Sequence, residues 1–168
     1  MAADTSSGLG RATAAWLRLY RLAARLTQPT FTLGNVVAVR RADEVLLVRQ
    51  RLRTPSQWGL PGGFQKSHES GADGARRELR EEVGLDLPVQ AGDQVAQYQQ
   101  PWARHIDTVF VVAFDDPASR ARRQSLEILA VGWFALDDLP PLTREAALAL
   151  EHVAHWQPPT NCTLTLRE

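Results

Sequence analysis

The chain has 168 residues, 44% of them hydrophobic and 23% charged, with a formal net charge of zero. That balance excludes a disordered polyelectrolyte and fits one globular domain long enough to bury its own core. Charge is unevenly spread: residues 1–60 hold nine basic and three acidic residues, and residues 61–168 hold ten and sixteen. The first stretch favours an anionic partner and the second a cation.

A single cysteine, Cys162, excludes an intrachain disulfide and suits a reducing compartment. No CxxC pair or His–Cys cluster offers a zinc site. Arg11, Arg18, Arg21 and Arg25 interrupt the first apolar stretch. A signal peptide needs an unbroken apolar core of roughly 7–15 residues, so none is expected here. No run approaches a membrane span. The expected location is the cytoplasm, without a membrane partner.

Residues 1–10 are small and polar and are expected to be disordered. Residues 12–26 read as a helix, with Trp16, Leu19, Tyr20, Ala23 and Leu26 at helical spacing and Pro29 beyond its end. Such a stripe packs on the domain or across a homodimer interface; a helix lying on an anionic membrane surface is the alternative. Residues 31–41 and 44–50 read as a β-hairpin turning at Ala42-Asp43. A polar connection, 50–57, leads to a short strand at Trp58-Gly59-Leu60 that ends at Pro61, with Gly62-Gly63 as a tight turn.

Residues 70–83 form the clearest helix, with an apolar stripe of Ala72, Ala75, Leu79 and Val83 and Gly84 as its stop. Strands are predicted at 94–100, 105–114 and 127–135. Thr143 caps a last helix over 144–156, with Ala147, Leu148, Leu150 and Val153 facing inward. The order helix, strands, helix, strands, helix is not a βαβ series. It predicts an α/β chain of the α+β kind: a mixed sheet between helices, with an extra N-terminal helix. The expected division is an N-terminal extension (1–30), one domain (31–156) and a C-terminal tail (157–168).

The helix at 70–83 carries Glu78, Glu81 and Glu82. Spacings of three and four residues put their side chains on one face. Like charges at that spacing repel by about 0.2–0.5 kcal/mol. A hard dication such as Mg²⁺, which takes oxygen ligands and keeps waters and phosphates around it, would neutralise them. Acidic clusters on surface helices are often merely solvated. Two neighbours argue otherwise: Pro61-Gly62-Gly63 allows a close backbone approach to the helix. Glu69 stands at the helix start, where orphan N–H groups favour a carboxylate.

Residues 63–85, GFQKSHESGADGARRELREEVGL, resemble the Nudix box. Gly63, Glu69, Arg77-Glu78, Leu79, Glu81-Glu82 and Gly84-Leu85 fill every fixed position of that pattern, and Trp58 to Gly62 is similar to its usual lead-in. The resemblance covers residues 31–156 in element order. It implies a Nudix fold and a pyrophosphohydrolase, in which water attacks a phosphorus of a nucleoside diphosphate derivative with Mg²⁺, or Mn²⁺ in its place. It implies metal ligation by Glu78 and Glu82, with Glu81 as ligand or base and the Gly63 carbonyl as a further ligand. Arg77 would orient the site and Glu69 would brace it. Two positions depart from relatives without touching a fixed one: His68 stands where glycine is common, and Gly74 where a better helix former is usual.

The general base is not fixed by the box. Glu127, which opens the apolar run EILAVGWF, is the candidate from outside the helix. Asp107 is a weaker one, since alternation with Ile106 turns it outward. Arg49, Arg51, Arg53 and Arg104 are candidate phosphate contacts, because the guanidinium fork suits phosphate oxygens. Trp102 and Tyr98 are candidate base-stacking rings. The expected substrate is a small nucleotide: a nucleotide sugar, ADP-ribose, a dinucleotide or a modified nucleoside triphosphate. A non-catalytic nucleotide-binding module and an RNA-end pyrophosphohydrolase are the alternatives. Nucleic acid is not the expected partner, because no groove of alternating basic and aromatic residues is visible.

Overall fold

The computed structural model describes residues 6–52, 55–114 and 120–154, with side chains from residue 13 onward. Arg53, the 115–119 part of the loop and the tail with Cys162 lie outside the described residues. The chain divides into two compact units, one up to Phe31 and one from Thr32.

The first unit is helix α1, Ser6–Thr27. It begins earlier than expected. Gly8 and Gly10 each weaken a helix by about 1 kcal/mol, but adding residues to a formed helix is easier than starting one. Trp16 stacks on Tyr20 with ring centroids 5.6 Å apart, as an i,i+4 pair should. Among the described residues no helix is long and apolar enough to cross a membrane.

The second unit is built on β1 (Thr32–Arg41), β2 (Glu44–Gln50), β3 (Gly62–Phe64), β4 (Gln94–Gln99), β5 (His105–Ala113) and β6 (Ile128–Ala135). The main path runs β4-β5-β1-β2-β6, with β3 beside β1. β1 is parallel to β5 and antiparallel to β2 and β3, so the sheet is mixed, as element order implies. The β1–β2 hairpin turns at Ala42, whose φ is 51°. β2 meets β1 through Arg40↔Val45 and Arg41↔Glu44, and the start of β1 meets β3.

Alternation along the strands sorts the core into two layers. Val37, Val39, Leu46, Val48, Phe110 and Val112 face α2 (Gly71–Glu78) and its continuation, with Ala75, Leu79 and Val83. Ala38, Val45, Leu47, Val109 and Val111 face α3 (Arg144–Val153), with Ala149, Leu150 and Val153. The sheet therefore lies between two helices.

Four expectations need correction. Gly62 and Gly63 are not a tight turn; they pair with Val36 and Asn35 as β3. A Cβ on Gly62 would come within 2.2 Å of the Asn35 carbonyl oxygen, so glycine serves close strand approach. Trp58 and Gly59 form only isolated bridges, to Leu142 and Val48. The helix after Ser70 changes type: Leu79–Val83 is a π turn, ended by Gly84 at φ 72°. In α3 the buried positions are Ala146, Ala149, Leu150 and Val153, while Ala147 is exposed. Thr143, whose hydroxyl accepts from the Ala146 N–H at 3.2 Å, sets that phase.

Candidate metal and phosphate site

The π turn carries Glu81 and Glu82, and Glu78, the last residue of α2, stands just before it. A π turn holds an extra residue and is frequent at functional sites. Here Glu78 and Glu81 share Arg77, while Glu82 turns toward Gly62 and Gln50. Glu82 is buried, at 7% exposure. Its Oε2 accepts the Gly62 N–H at 3.0 Å and its Oε1 accepts the Gln50 amide at 2.9 Å. Glu78 meets Arg77 at 2.5 Å. Glu81 is half exposed and lies 3.3 Å from Arg77 and 3.8 Å from Lys66.

Arg77 ties the site to the segment ahead of the helix. It donates to both oxygens of Glu69, at 2.8 and 3.1 Å, and to the Phe64 carbonyl at 3.1 Å. Glu69 also accepts the Lys66 N–H at 2.6 Å. The Arg77 hydrogen bonds and, less strongly, that backbone bond hold the Glu69 pKa down at about 2. Glu69 in turn raises the Arg77 pKa. Ser70 caps α2 by accepting from the Asp73 N–H at 3.1 Å.

Both departures from relatives now have a local description. Gly74 packs against Asn35 and Glu69: a Cβ there would lie 2.6 Å from Asn35 Nδ2 and 3.0 Å from Glu69 Oε1. His68 sits in the left-handed region at φ 71°, a conformation that glycine enters at no steric cost. Its side chain is exposed.

The donor set suits a hard dication. The Glu78 carboxylate stands beside Gly63, where a Cβ would lie 2.6 Å from its Oε1; oxygen-only ligation is what Mg²⁺ and Mn²⁺ accept. Among the described residues no three acidic or histidine side chains already form a closed cage.

The outlying candidates are scattered. Arg49 lies over the Trp58 ring, 5.2 Å from its centroid, and Trp58 packs edge-on against Phe134 at 4.6 Å. Arg51 is exposed; its N–H donates to the Glu127 carbonyl at 2.7 Å, and its Nε to the Leu126 carbonyl at 3.2 Å. Glu127 is exposed and its own N–H donates to the Ser125 hydroxyl. Arg104 and Trp102 are exposed in the turn before β5. Asp107 does not point outward as alternation suggested. It is 4% exposed and holds Gln100 Nε2 at 2.6 Å and His105 Nε2 at 3.0 Å. Tyr98 stacks on His152 at 5.2 Å, and burial pushes its hydroxyl pKa up.

Sequence reasoning gave no role to Gln50, Asn35, Phe64 or Lys66. A small cleft of about 20 Å³ lies between β1, β2 and α3, with Gln50, Gln57, Leu60, Thr143 and Glu145 in its walls. Gln50 reaches both this cleft and Glu82. Phe64 is exposed and meets His105 edge-on at 5.4 Å.

Residues 31–157 match the family model described as NUDIX domain. The chain belongs to the Nudix family. It is 31% identical over 121 residues to a Pseudomonas aeruginosa protein named NAD-capped RNA hydrolase NudC, covering 72% of this chain and 42% of that one. The chain thus spans less than half the length of that relative. Among solved structures, a MutT NUDIX hydrolase from Burkholderia pseudomallei superposes with a TM-score of 0.63 at 28% identity, covering 74% of this chain and 99% of that one. An ADP-ribose pyrophosphatase from Streptococcus suis superposes with a TM-score of 0.59 at 31% identity, covering 76% and 97%. Nudix hydrolases generally use a divalent metal.

Proposed function

We propose that this Nudix domain hydrolyses the pyrophosphate linkage of a nucleoside diphosphate derivative with the help of Mg²⁺. The observation that carries the reading is the end of α2 and the π turn after it, where Glu78 stands beside Gly63 and Glu82 accepts the Gly62 N–H in a complete Nudix box. Glu78, Glu82 and the Gly63 carbonyl would hold the metal, with Glu81 as a further ligand or as the base. Bound there, a divalent cation neutralises phosphate charge and lowers the pKa of water.

The chain's own residues do the rest. Arg77 holds Glu78 in place and anchors the helix to β3 through the Phe64 carbonyl. Glu81, half exposed between Arg77 and Lys66, is the box carboxylate with most access to an incoming water. It is preferred as base to Glu127, which stands at the opening of β6 beside Arg51. Arg51 and Arg104 are exposed cations available to phosphate oxygens. Arg49 packs over the Trp58 ring and is less available to a phosphate.

The substrate class is narrowed by the names of two relatives. An NAD cap and ADP-ribose both contain a pyrophosphate joined to adenosine. Incubation with ADP-ribose, NADH, UDP-glucose and NAD-capped RNA, each with Mg²⁺, tests this. Supporting products are two phosphate-bearing fragments cut at the P–O–P bond, fastest from an adenosine compound. Binding without cleavage across the panel would favour the non-catalytic alternative.

A further inference from the structure

Helices α1 and α3 treat their apolar sides differently. In α3 the positions Ala146, Ala149, Leu150 and Val153 are buried. In α1 the large apolar side chains are exposed, Trp16 at 62%, Leu19 at 66% and Leu26 at 78%, with Tyr20 beside them. At about 100° per residue, Trp16, Leu19, Tyr20, Ala23 and Leu26 fall within about 120° of the helix circumference. Arg18, Arg21 and Arg25 fall within about 60° on the opposite side, and all three are exposed. Leu17 and Leu22 flank the stripe, one on each side. Ser6–Thr27 contains no Asp or Glu.

A stripe of Trp, Tyr and Leu backed by arginines is satisfied on both sides by one environment. At the surface of a bilayer the apolar side enters the boundary between headgroups and acyl chains, and the cations stay among the headgroup phosphates. Trp and Tyr favour that level because each ring is apolar with a polar tip. The guanidinium fork suits the phosphates. A second copy of the chain would cover the leucines, but its α1 has no carboxylate to offer the arginines. A nucleic acid would take the arginines and leave Trp16, Leu19 and Leu26 in water. Crossing the bilayer is a different matter, since among the described residues no helix is long and apolar enough for it.

We propose that α1 is a docking surface for an anionic lipid bilayer. The helix lies in the plane of the interface, with Trp16, Leu19, Tyr20 and Leu26 inserted and Arg18, Arg21 and Arg25 against lipid phosphates. The Nudix domain is thereby held at a membrane surface, independently of which nucleotide it cuts.

The test sediments the full chain with vesicles of phosphatidylcholine alone, or of phosphatidylcholine with about a third phosphatidylglycerol, which supplies a negative surface potential. Wild type is compared with the triple variant Arg18→Gln, Arg21→Gln, Arg25→Gln and with the double variant Trp16→Ser, Leu19→Ser. Thermal melts check that each keeps its folded domain. Wild type is expected to pellet with the anionic vesicles and far less with the neutral ones. The triple variant is expected to bind the anionic vesicles about a hundredfold more weakly, from a several-fold loss at each arginine. The double variant is expected to bind at least about tenfold more weakly, through lost apolar burial. Wild type that stays in solution with anionic vesicles overturns the proposal, and so does equal binding to both kinds of vesicle. A triple variant that binds like wild type overturns it too, even if the double variant fails to fold. Wild type that ignores vesicles but forms a dimer dissociated by the double substitution gives the stripe to a second copy. Wild type that ignores vesicles but holds an RNA oligonucleotide through the three arginines gives them to nucleic acid. Either result overturns the proposal.

Discussion

Glu69, just ahead of α2, and Glu82, in the π turn that ends the helix, are both sheltered carboxylates, and they are handled in opposite ways. Glu69 receives two bonds from Arg77 and one from the Lys66 N–H. Glu82 receives one from a backbone N–H and one from the Gln50 amide. The first arrangement resembles an internal salt bridge, whose product is rigidity. In the second, two N–H groups fix where the oxygens of a buried carboxylate point. The helix thus has a braced beginning and a proposed metal-binding end, and Arg77 spans the two by touching Glu69, Glu78 and Glu81.

The largest expected effect separates the two ends. Glu82→Gln is expected to lower kcat by about a thousandfold, since metal-borne charge stabilisation is worth several kcal/mol, while the melting temperature stays close to wild type. Glu69→Gln should do the reverse, with a modest change in kcat and a clear loss of stability. Steady-state kinetics beside thermal melts read both. A variant pair that behaves alike would dissolve the contrast.

The Arg77→Ala variant should damage both ends at once. Removing one partner of a sheltered ion pair costs about 3–5 kcal/mol when fully buried, and somewhat less at the 13% side-chain exposure of Arg77. A denaturant titration showing a loss of about 2 kcal/mol, together with a drop in kcat of about 10–100-fold, is expected. Arg77→Lys should recover part of the stability but not the bidentate hold on Glu69.

Acid sharpens the comparison. The folded pKa of Glu69 is about 2 against an ordinary 4.5. A lowered folded pKa means that Glu69 contributes stability above pH 4.5 and loses it as pH falls toward 2. The stability gap between wild type and Glu69→Gln is therefore expected to be full at pH 7 and to shrink through that window. Solvent screening at this partly exposed pair keeps the gap near 1 kcal/mol. A gap that stays constant with pH would assign it to packing rather than charge.

The smallest effect concerns His68, whose φ of 71° places a non-glycine residue in the left-handed region. His68→Gly is expected to stabilise the fold by up to about 1 kcal/mol. A melt showing no gain would mean that the imidazole contributes a contact outweighing the backbone cost.

Much of this was legible in the sequence for physical reasons. The spacing of Glu78, Glu81 and Glu82 fixes a shared helix face, and the order of strands and helices implies a mixed sheet between helices. Periodicity could not show the π turn, because it averages over windows longer than one turn. Gly62-Gly63 read as a turn because two glycines usually mark one; their role in close strand pairing depends on Asn35, far back in the chain. Gln50 was invisible as a partner of Glu82 because their meeting is purely tertiary, and a slipped register aims the side chain. Asp107 was taken to point outward because alternation says nothing of what lies beyond the sheet; Gln100 and His105 bury it.

The central claim, that the glutamate end of α2 serves metal-assisted cleavage of a pyrophosphate, is tested most directly by one comparison. Metal-stripped wild type and Glu82→Gln are incubated with the nucleotide panel, with and without added Mg²⁺, and the products are separated by chromatography. The expected result is cleavage at the P–O–P bond by wild type with Mg²⁺, none without it, and at most a trace by Glu82→Gln. Cleavage that proceeds equally without a divalent cation, or equally in Glu82→Gln, would contradict it.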